Sequence, residues 1–327
     1  MDAKEFNTEE KSFFKYHGKG GELFGVFLVN ALLTIITLGV YYFWAKVKLI
    51  KYYYEQTEFM GYRFSYHGTG KERFVGFLKG IGIVVLGLIA LFAVAYLLMS
   101  LISLKAANFI MSALLYLALL AISPLVLIGK ERYRLSRSSY RNIRFQFTGK
   151  FTELAELFIV HGLMTVVTLG IYSPWFYCKY AEFFAKNSFY GNQNFQFQAE
   201  PKELFILFLK GIFLTPLTLG VYVFWFRANL YRFYWSHVTF QNKQFNADTY
   251  TGGGLMKTTG LALLASVLSL GAALPWALNW LNAYQINHLT FLGTVDFASI
   301  EGSMDKKASA LSDGISDAAD VLGDMLS

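Results

Sequence analysis

Charged and amide side chains recur along this chain at a spacing that can do chemistry. Counting forward from Trp44, Leu125, Trp175 and Trp225, the residues four, seven and eleven places on are Lys48, Lys51, Glu55; Gly129, Arg132, Ser136; Lys179, Glu182, Lys186; and Asn229, Arg232, Ser236. Offsets of three, four and seven share one face of an α-helix. A fifth set beyond Trp276 is shifted and milder: Asn279, Asn282 and Asn287. With Arg227, these positions predict a polar, mainly cationic lumen edged by Lys48, Lys51, Arg132, Lys179, Glu182, Arg227, Asn229, Arg232, Asn279 and Asn282. Its chemistry would be electrostatic, the holding or passage of a small anionic solute or an anionic lipid headgroup, since charge at membrane depth is tolerated mainly inside a bundle or a watery cavity. The same residues also fit a membrane surface, snorkelling to water or meeting lipid phosphates without specificity.

Other chemistries find less support. Tyr16, His17, Gly18 and Tyr66, His67, Gly68 are equivalent triplets, but two imidazoles without further ligands make no metal site. "GKGGELFG" and "GTGKERF" resemble phosphate-binding glycine loops, yet Lys71 is followed by Glu72 where a P-loop carries Ser or Thr. No Ser/His/Asp, HExxH or carboxylate-pair signature appears, so the expectation is a protein that is not an enzyme and needs no metal or cofactor. Cys178 is the single cysteine, which excludes an intramolecular disulfide and reads as a small packed residue.

The elements that position the polar face come from a repeat. The phrase "TLGVYYFW" at Thr37 returns as "TLGIYSPW" at Thr168, as "TLGVYVFW" at Thr218 and, blurred, as "SLGAALPW" at Ser269. Each is preceded by about 16 apolar residues. Glu22, Glu72, Glu153 and Glu203 stand where those helices begin, a favourable place for a carboxylate. Gly39, Gly170, Gly220 and Gly271 read as left-handed helix caps, and Trp44, Trp175, Trp225 and Trp276 fall in the first turn of the returning helix. In "YSPW" Ser173 is the expected N-cap, with Pro174 at the first helical position.

Short alternating segments close each unit: Phe14, Tyr16, Gly18; Phe64, Tyr66, Gly68; Phe145, Phe147, Gly149; Phe195, Phe197, Ala199; Phe245, Ala247; and, as the apparent last member, Val295 and Phe297. Period two between turn residues predicts short strands. The spacing is 50 residues except for 81 between Phe64 and Phe145, so one copy carries an insertion of about one helix and its turn. Five copies follow, near 22–68, 72–149, 153–199, 203–249 and 255–299. They are preceded by a segment 1–21 that holds the first strand and followed by a tail, 303–327, with an acidic and an apolar face.

With 55% apolar, 18% aromatic and only 16% charged residues, the chain is too apolar for an ordinary soluble domain. Gly80–Leu104 and Ala106–Ile128 exceed the ~20 residues needed to cross a bilayer. The predicted fold is therefore an α-helical polytopic membrane protein of five pseudo-repeats (helix, Gly turn, helix, short β segment) with a small cytoplasmic β layer. No removable signal peptide is visible at the N-terminus. Of the 29 Lys and Arg residues only Lys105 falls on the glycine-turn side, which predicts cytoplasmic termini. The net charge of +7 records orientation and anionic lipids, not nucleic acid. Expected partners are membrane lipids, an anionic small molecule and a protein partner for the tail; a noncatalytic scaffold or lipid-binding protein is the alternative to a channel or transporter.

The entry "GxGxELF" at Gly18–Phe24, the turn "TLGVYYFWAKVK" from Thr37 and the closing "FxYHGTGKE" strand together resemble the YjgN-like family of bacterial inner-membrane proteins. The resemblance covers about residues 12–299 and implies a multi-pass inner-membrane protein. It supplies no substrate and no catalytic residues.

Overall fold

The recurring Thr-Leu-Gly phrase is a helix stop, and its geometry explains its composition. After α1 (Gly20–Ile36), the Gly39 amide donates to the Thr34 carbonyl at 2.8 Å and the Leu38 amide to Ile35 at 3.1 Å, the two bonds of a Schellman motif. Thr37 Oγ1 donates to the Leu33 carbonyl and accepts from the Tyr41 amide at 2.9 Å, which ties the turn to α2 (Tyr42–Gln56). The same bond joins Thr168 to Tyr172, Thr218 to Tyr222 and Ser269 to Ala273. Gly39, Gly170, Gly220 and Gly271 have φ between +89° and +93°, backbone that only glycine enters freely. The residue before each is a left-handed leucine, Leu38, Leu169, Leu219 or Leu270, with φ of 49–51°.

The computed structural model describes residues 11–101 and 103–300. β1 (Lys11–Tyr16), α1 and α2 lead to the hairpin β2–β3 (Thr57–Phe59, Tyr62–Tyr66). The pattern of two helices and a hairpin continues through α3–α4 (Gly70–Leu101, Leu104–Ser136) with β4–β5 (Ser138–Tyr140, Ile143–Phe147), then α5–α6 (Phe151–Val167, Ser173–Lys186) with β6–β7 (Ser188–Tyr190, Gln193–Phe197). It ends with α7–α8 (Pro201–Leu217, Val223–Ser236) and β8–β9 (Val238–Phe240, Lys243–Asn246), then α9–α10 (Gly252–Leu268, Leu274–Asn287) and β10 (Thr290–Leu292). The α6 helix begins at Ser173, with Tyr172 in the N-cap place expected of the serine; Ser173 Oγ turns back to the Gly170 carbonyl.

The strands overturn the expected fold. They close into one antiparallel barrel of ten strands, each paired with its neighbour and β1 with both β2 and β10. Strands of three to six residues cannot stand alone as hairpins, and closure removes every open edge. Among the described residues one helix, Gly70–Leu97, is long and apolar enough to cross a membrane; Gly20–Ile36 and Gly252–Leu268 are shorter apolar helices, and Leu104–Leu115 is the apolar start of α4. Seventeen residues rise about 25 Å, below the ~30 Å of a bilayer's hydrocarbon. The protein is thus a barrel with a ring of helices, not the polytopic helical bundle with a minor strand layer that its apolar composition suggested. The tail 303–327 lies outside the described residues.

Helices and barrel are joined at one end, because every helix pair connects neighbouring strands and every two-residue turn sits at the other end. The ten helices pack in sequence order around a ring that α1 and α10 close. Each odd-numbered helix bridges two even ones. Gly20 of α1 lies so close to Trp276 of α10 that a Cβ there would fall 2.1 Å from the indole, while Asn30, further along, donates to the Ala45 carbonyl of α2. Gly70 on Trp44 and Gly252 on Trp225 repeat the contact. The tryptophans are therefore packing residues between units.

Candidate functional site

Cross-strand register decides what fills the barrel. Phe14 faces Phe59, Phe64 faces Tyr140, Phe145 faces Tyr190, Phe195 faces Phe240 and Phe245 faces Phe291. The paired rings lie 4.4–4.9 Å apart, centroid to centroid. Offset and edge-on aromatic pairs at such distances add to the burial of their area. The two buried tyrosines satisfy their hydroxyls on backbone: Tyr140 donates to the Phe59 carbonyl at 2.6 Å and Tyr190 to the Tyr140 carbonyl at 3.0 Å. Burial raises both phenols, that of Tyr190 to about 12, so neither ionises near neutrality.

Inside this aromatic wall is a cavity of about 500 Å³ that extends into the ring of even helices. There it is lined by residues nine places after each tryptophan position: Tyr53, Arg134, Phe184, Tyr234 and Gln285. Positions ten on (Tyr54, Leu135, Ala185, Trp235, Ile286) and thirteen on (Thr57, Ser138, Ser188, Val238, Leu289) add to the lining, with Glu131 and Tyr231 six places on. The charges in it are Glu131 and Arg134, an i,i+3 pair with Arg134 Nε 3.1 Å from Glu131 Oε2. Arg134 is 51% exposed on its side chain although Tyr54, Tyr234 and Glu131 surround it, the signature of a group that faces a void inside the protein. Burial opposes its charge, and the Glu131 carboxylate more than offsets this, so its pKa stands above the ordinary value. Tyr234 opposite is pushed up to about 12, first by burial and then by neighbouring Tyr177 and Glu131.

The far end of the barrel is stopped by the chain itself. Val295 and Phe297, which the sequence spacing places in a last strand, are not in one; β1 occupies that place beside β10. Displaced, residues 293–300 fold across the two-residue turns. Gln241 brackets Asp296, donating to its carbonyl at 3.0 Å and accepting from its amide at 2.9 Å. The Asn192 amide donates to the Ser299 carbonyl at 3.4 Å. Val295 and Phe297 line the cavity, and Ile300 is buried behind them.

None of the ten residues predicted to edge a lumen lines this cavity. Lys48 and Arg227 are exposed, and the Lys48 ammonium lies 5.4 Å over the Tyr41 ring. Lys51 is half-buried. Arg132 donates to the Gly149 carbonyl at 3.1 Å, tying α4 to the exit of β5. Lys179 and Glu182 pair at 3.0 Å in an outward groove with Glu153, Glu156 and Lys186. Arg232 donates to Asn229 on its own helix. Asn279 is buried as a structural link, donating to the Gly18 carbonyl and accepting from the Tyr16 hydroxyl at 2.8 Å, and Asn282 donates to the Leu278 carbonyl. His17 meets Glu58 at 2.8 Å and His67 meets Ser139 at 2.7 Å. Among the described residues no group of three or more His, Cys, Asp or Glu side chains is placed to hold a metal.

A family model described as "Bacterial protein of unknown function (DUF898)" matches residues 11–216 and 193–263. The chain belongs to this family. Its curated relatives include the inner membrane protein YjgN of Escherichia coli K12, 49% identical over 65 residues that make up 20% of this chain and 16% of the relative. That of Salmonella typhimurium is 44% identical over 63 residues, 19% of this chain and 16% of the relative. The aligned stretch spans about a sixth of the length of these relatives. No solved structure matches the chain. The YjgN-like resemblance read from the turn and strand motifs is borne out, and the relatives' names support residence of this chain at the inner membrane.

Proposed function

We propose that this DUF898 member is a noncatalytic lipid-binding protein of the inner membrane, which holds the acyl chain of a single-chain amphiphile in the barrel and its polar end among Glu131, Arg134 and Gln285. The observation that carries the reading is the cavity of about 500 Å³ walled by cross-strand aromatic rings and stopped by Phe297. Its size is that of small-molecule sites, and its wall offers apolar contact with few polar anchors. Passage of an anionic solute through the barrel has less support, since a hydrated anion would have to shed water against phenyl rings.

In this reading the α3–α4 hairpin enters lipid from the cytoplasmic side, where the barrel and both chain ends lie. The exposed apolar face of α3, with Leu86 at 68% and Phe92 at 72%, supports the first part. The Lys and Arg bias away from the glycine turns supports the second. The four turn leucines, 94–97% exposed, reach the boundary between headgroups and acyl chains.

Titration of the purified full chain in neutral detergent with a fluorescent C18 polyene fatty acid tests the proposal. Binding should saturate at one site per chain and weaken at least tenfold in Ser188→Phe, which fills the lumen. Equal binding by the variant would refute it.

A further inference from the structure

Four of the five odd-numbered helices carry leucine at their fourth residue, and each is buried: Leu23, Leu154 and Leu204 at 0% exposure and Leu255 at 9%. In α3 that place belongs to Arg73, equally buried at 4%. Its Nε has no hydrogen-bond partner. Its Nη2 donates to the Tyr66 hydroxyl at 3.4 Å, and its guanidinium lies 5.4 Å from the Tyr133 ring centroid. None of the ion pairs among the described residues includes it. The neighbouring carboxylate of Glu72 is engaged elsewhere, by Arg137 at 3.2 Å, by the Tyr133 hydroxyl at 3.2 Å and by the Thr69 amide.

Two more cations stand on the helices that pack against α3, Lys46 on α2 and Lys130 on α4. Lys46 of α2, half-buried, feels the positive charges of Arg73 and of Lys130 on α4, and these, after burial, lower its pKa. Three neighbouring helices thus each carry a positive charge, and the arginine on the middle one is buried and incompletely bonded. Burying a charge without a counterion is costly, and like charges nearby add to the cost. A leucine would remove both penalties, as it does in the four sister helices, so the arginine calls for a compensating charge from outside the chain.

We propose that Arg73, Lys46 and Lys130 form a phosphate-binding site between α2, α3 and α4, separate from the barrel cavity. The planar fork of a guanidinium matches two phosphate oxygens, and lysines on longer, more mobile stems close on the others. The site sits at the barrel end of the apolar run of α3, two residues before Val75, where with Leu78 its exposed apolar face begins and a lipid headgroup phosphate would lie. A free phosphate presents the same oxygens.

The test is the thermal midpoint of the full chain in neutral detergent, titrated in one arm with inorganic phosphate against chloride of equal ionic strength and in the other with dioleoyl phosphatidylglycerol. The wild type should rise by roughly 3 °C at saturation. A rise with phosphate names the free anion as a ligand; a rise with the lipid alone names the headgroup. Arg73→Leu should start from a higher midpoint than the wild type and respond to neither. Lys46→Gln, at a half-buried position, should need about tenfold more anion, and it decides the matter if the arginine variant does not fold. A wild type that responds to neither ligand, an Arg73→Leu protein that responds as the wild type does, or an unchanged requirement in Lys46→Gln would overturn the site.

Discussion

The Arg141 guanidinium carbon lies over the Phe297 ring, 4.0 Å from its centroid, and 4.4 Å from that of Tyr62. Arg141 sits in the two-residue turn between β4 and β5, in left-handed backbone at φ 48°, so a turn residue of the barrel holds the stopper of the barrel. Stacking of this kind contributes about 0.5–1 kcal/mol at an exposed site.

Removing the stopper should open the lumen while leaving the barrel closed. Phe297→Ala is expected to cost about 1–3 kcal/mol, less than a fully buried phenylalanine because the ring is half-exposed. It should also speed release of the fatty acid probe several-fold in stopped-flow displacement. Arg141→Ala should act in the same direction and more weakly. Unchanged release from Phe297→Ala would mean that the ligand does not leave by this end.

The turn leucines make an opposite pair of predictions. A left-handed leucine costs roughly 1 kcal/mol relative to an unstrained residue, and asparagine tolerates that backbone better. Replacing Leu38, Leu169, Leu219 and Leu270 together with asparagine should therefore leave the thermal midpoint in detergent unchanged or higher. Yet flotation with phosphatidylethanolamine–phosphatidylglycerol vesicles should fall several-fold, because four apolar tips are lost. Undiminished flotation would show that the tips do not meet lipid.

Neighbouring glycines separate packing from chain flexibility. A Cβ on Gly252 would fall 2.6 Å from the Trp225 Cα, a backbone atom that cannot swing away, whereas a Cβ on Gly253 meets nothing within 4 Å. Gly252→Ala should destabilise by about 2–4 kcal/mol through overpacking. Gly253→Ala, in the first turn of the same helix, should stabilise by several tenths of a kcal/mol. Chemical denaturation of both variants reads the difference directly.

Much of this was legible in the residues. The glycine turns, the helix pairs and the alternating aromatic segments follow from local rules: a cap, a period of 3.6, a period of two. Barrel closure was not, because β1 meets β10 through Lys11–Leu292 and Phe13–Thr290, a pairing that no local pattern announces. The same non-local pairing displaced Val295 and Phe297 from the strand their spacing suggested. The residues expected to edge a lumen lie about half a helical turn away from the side chains that line the barrel cavity. Polar residues stand at offsets four, seven and eleven, while the inward positions at nine, ten and thirteen are mostly aromatic, aliphatic or hydroxyl residues and resemble ordinary core. The recurrence of Tyr53, Phe184 and Tyr234 at one offset, broken by Arg134 and Gln285, was the available signal.

Cys178 gives a pH test of the helix ring. It is 5% exposed, and burial, the largest influence, raises its thiol to about 11. A raised thiol favours the neutral folded form, so its contribution to stability is complete below the ordinary thiol value and is lost as pH climbs towards 11. Denaturant midpoints should fall between pH 9 and 11 in the wild type and fall less in Cys178→Ala. Maleimide at pH 8 should label the native thiol at least a hundredfold more slowly than the denatured one.

The most direct measurement is photolabelling of the folded chain with a fatty acid that carries a diazirine midway along its acyl chain, followed by peptide mapping. The lipid-binding account predicts adducts on the barrel segments around Tyr140, Phe145, Tyr190 and Phe195, competed away by unlabelled fatty acid and absent in Ser188→Phe. Adducts confined to the outer faces of α1, α3 and α9, with none on the strands, would contradict it.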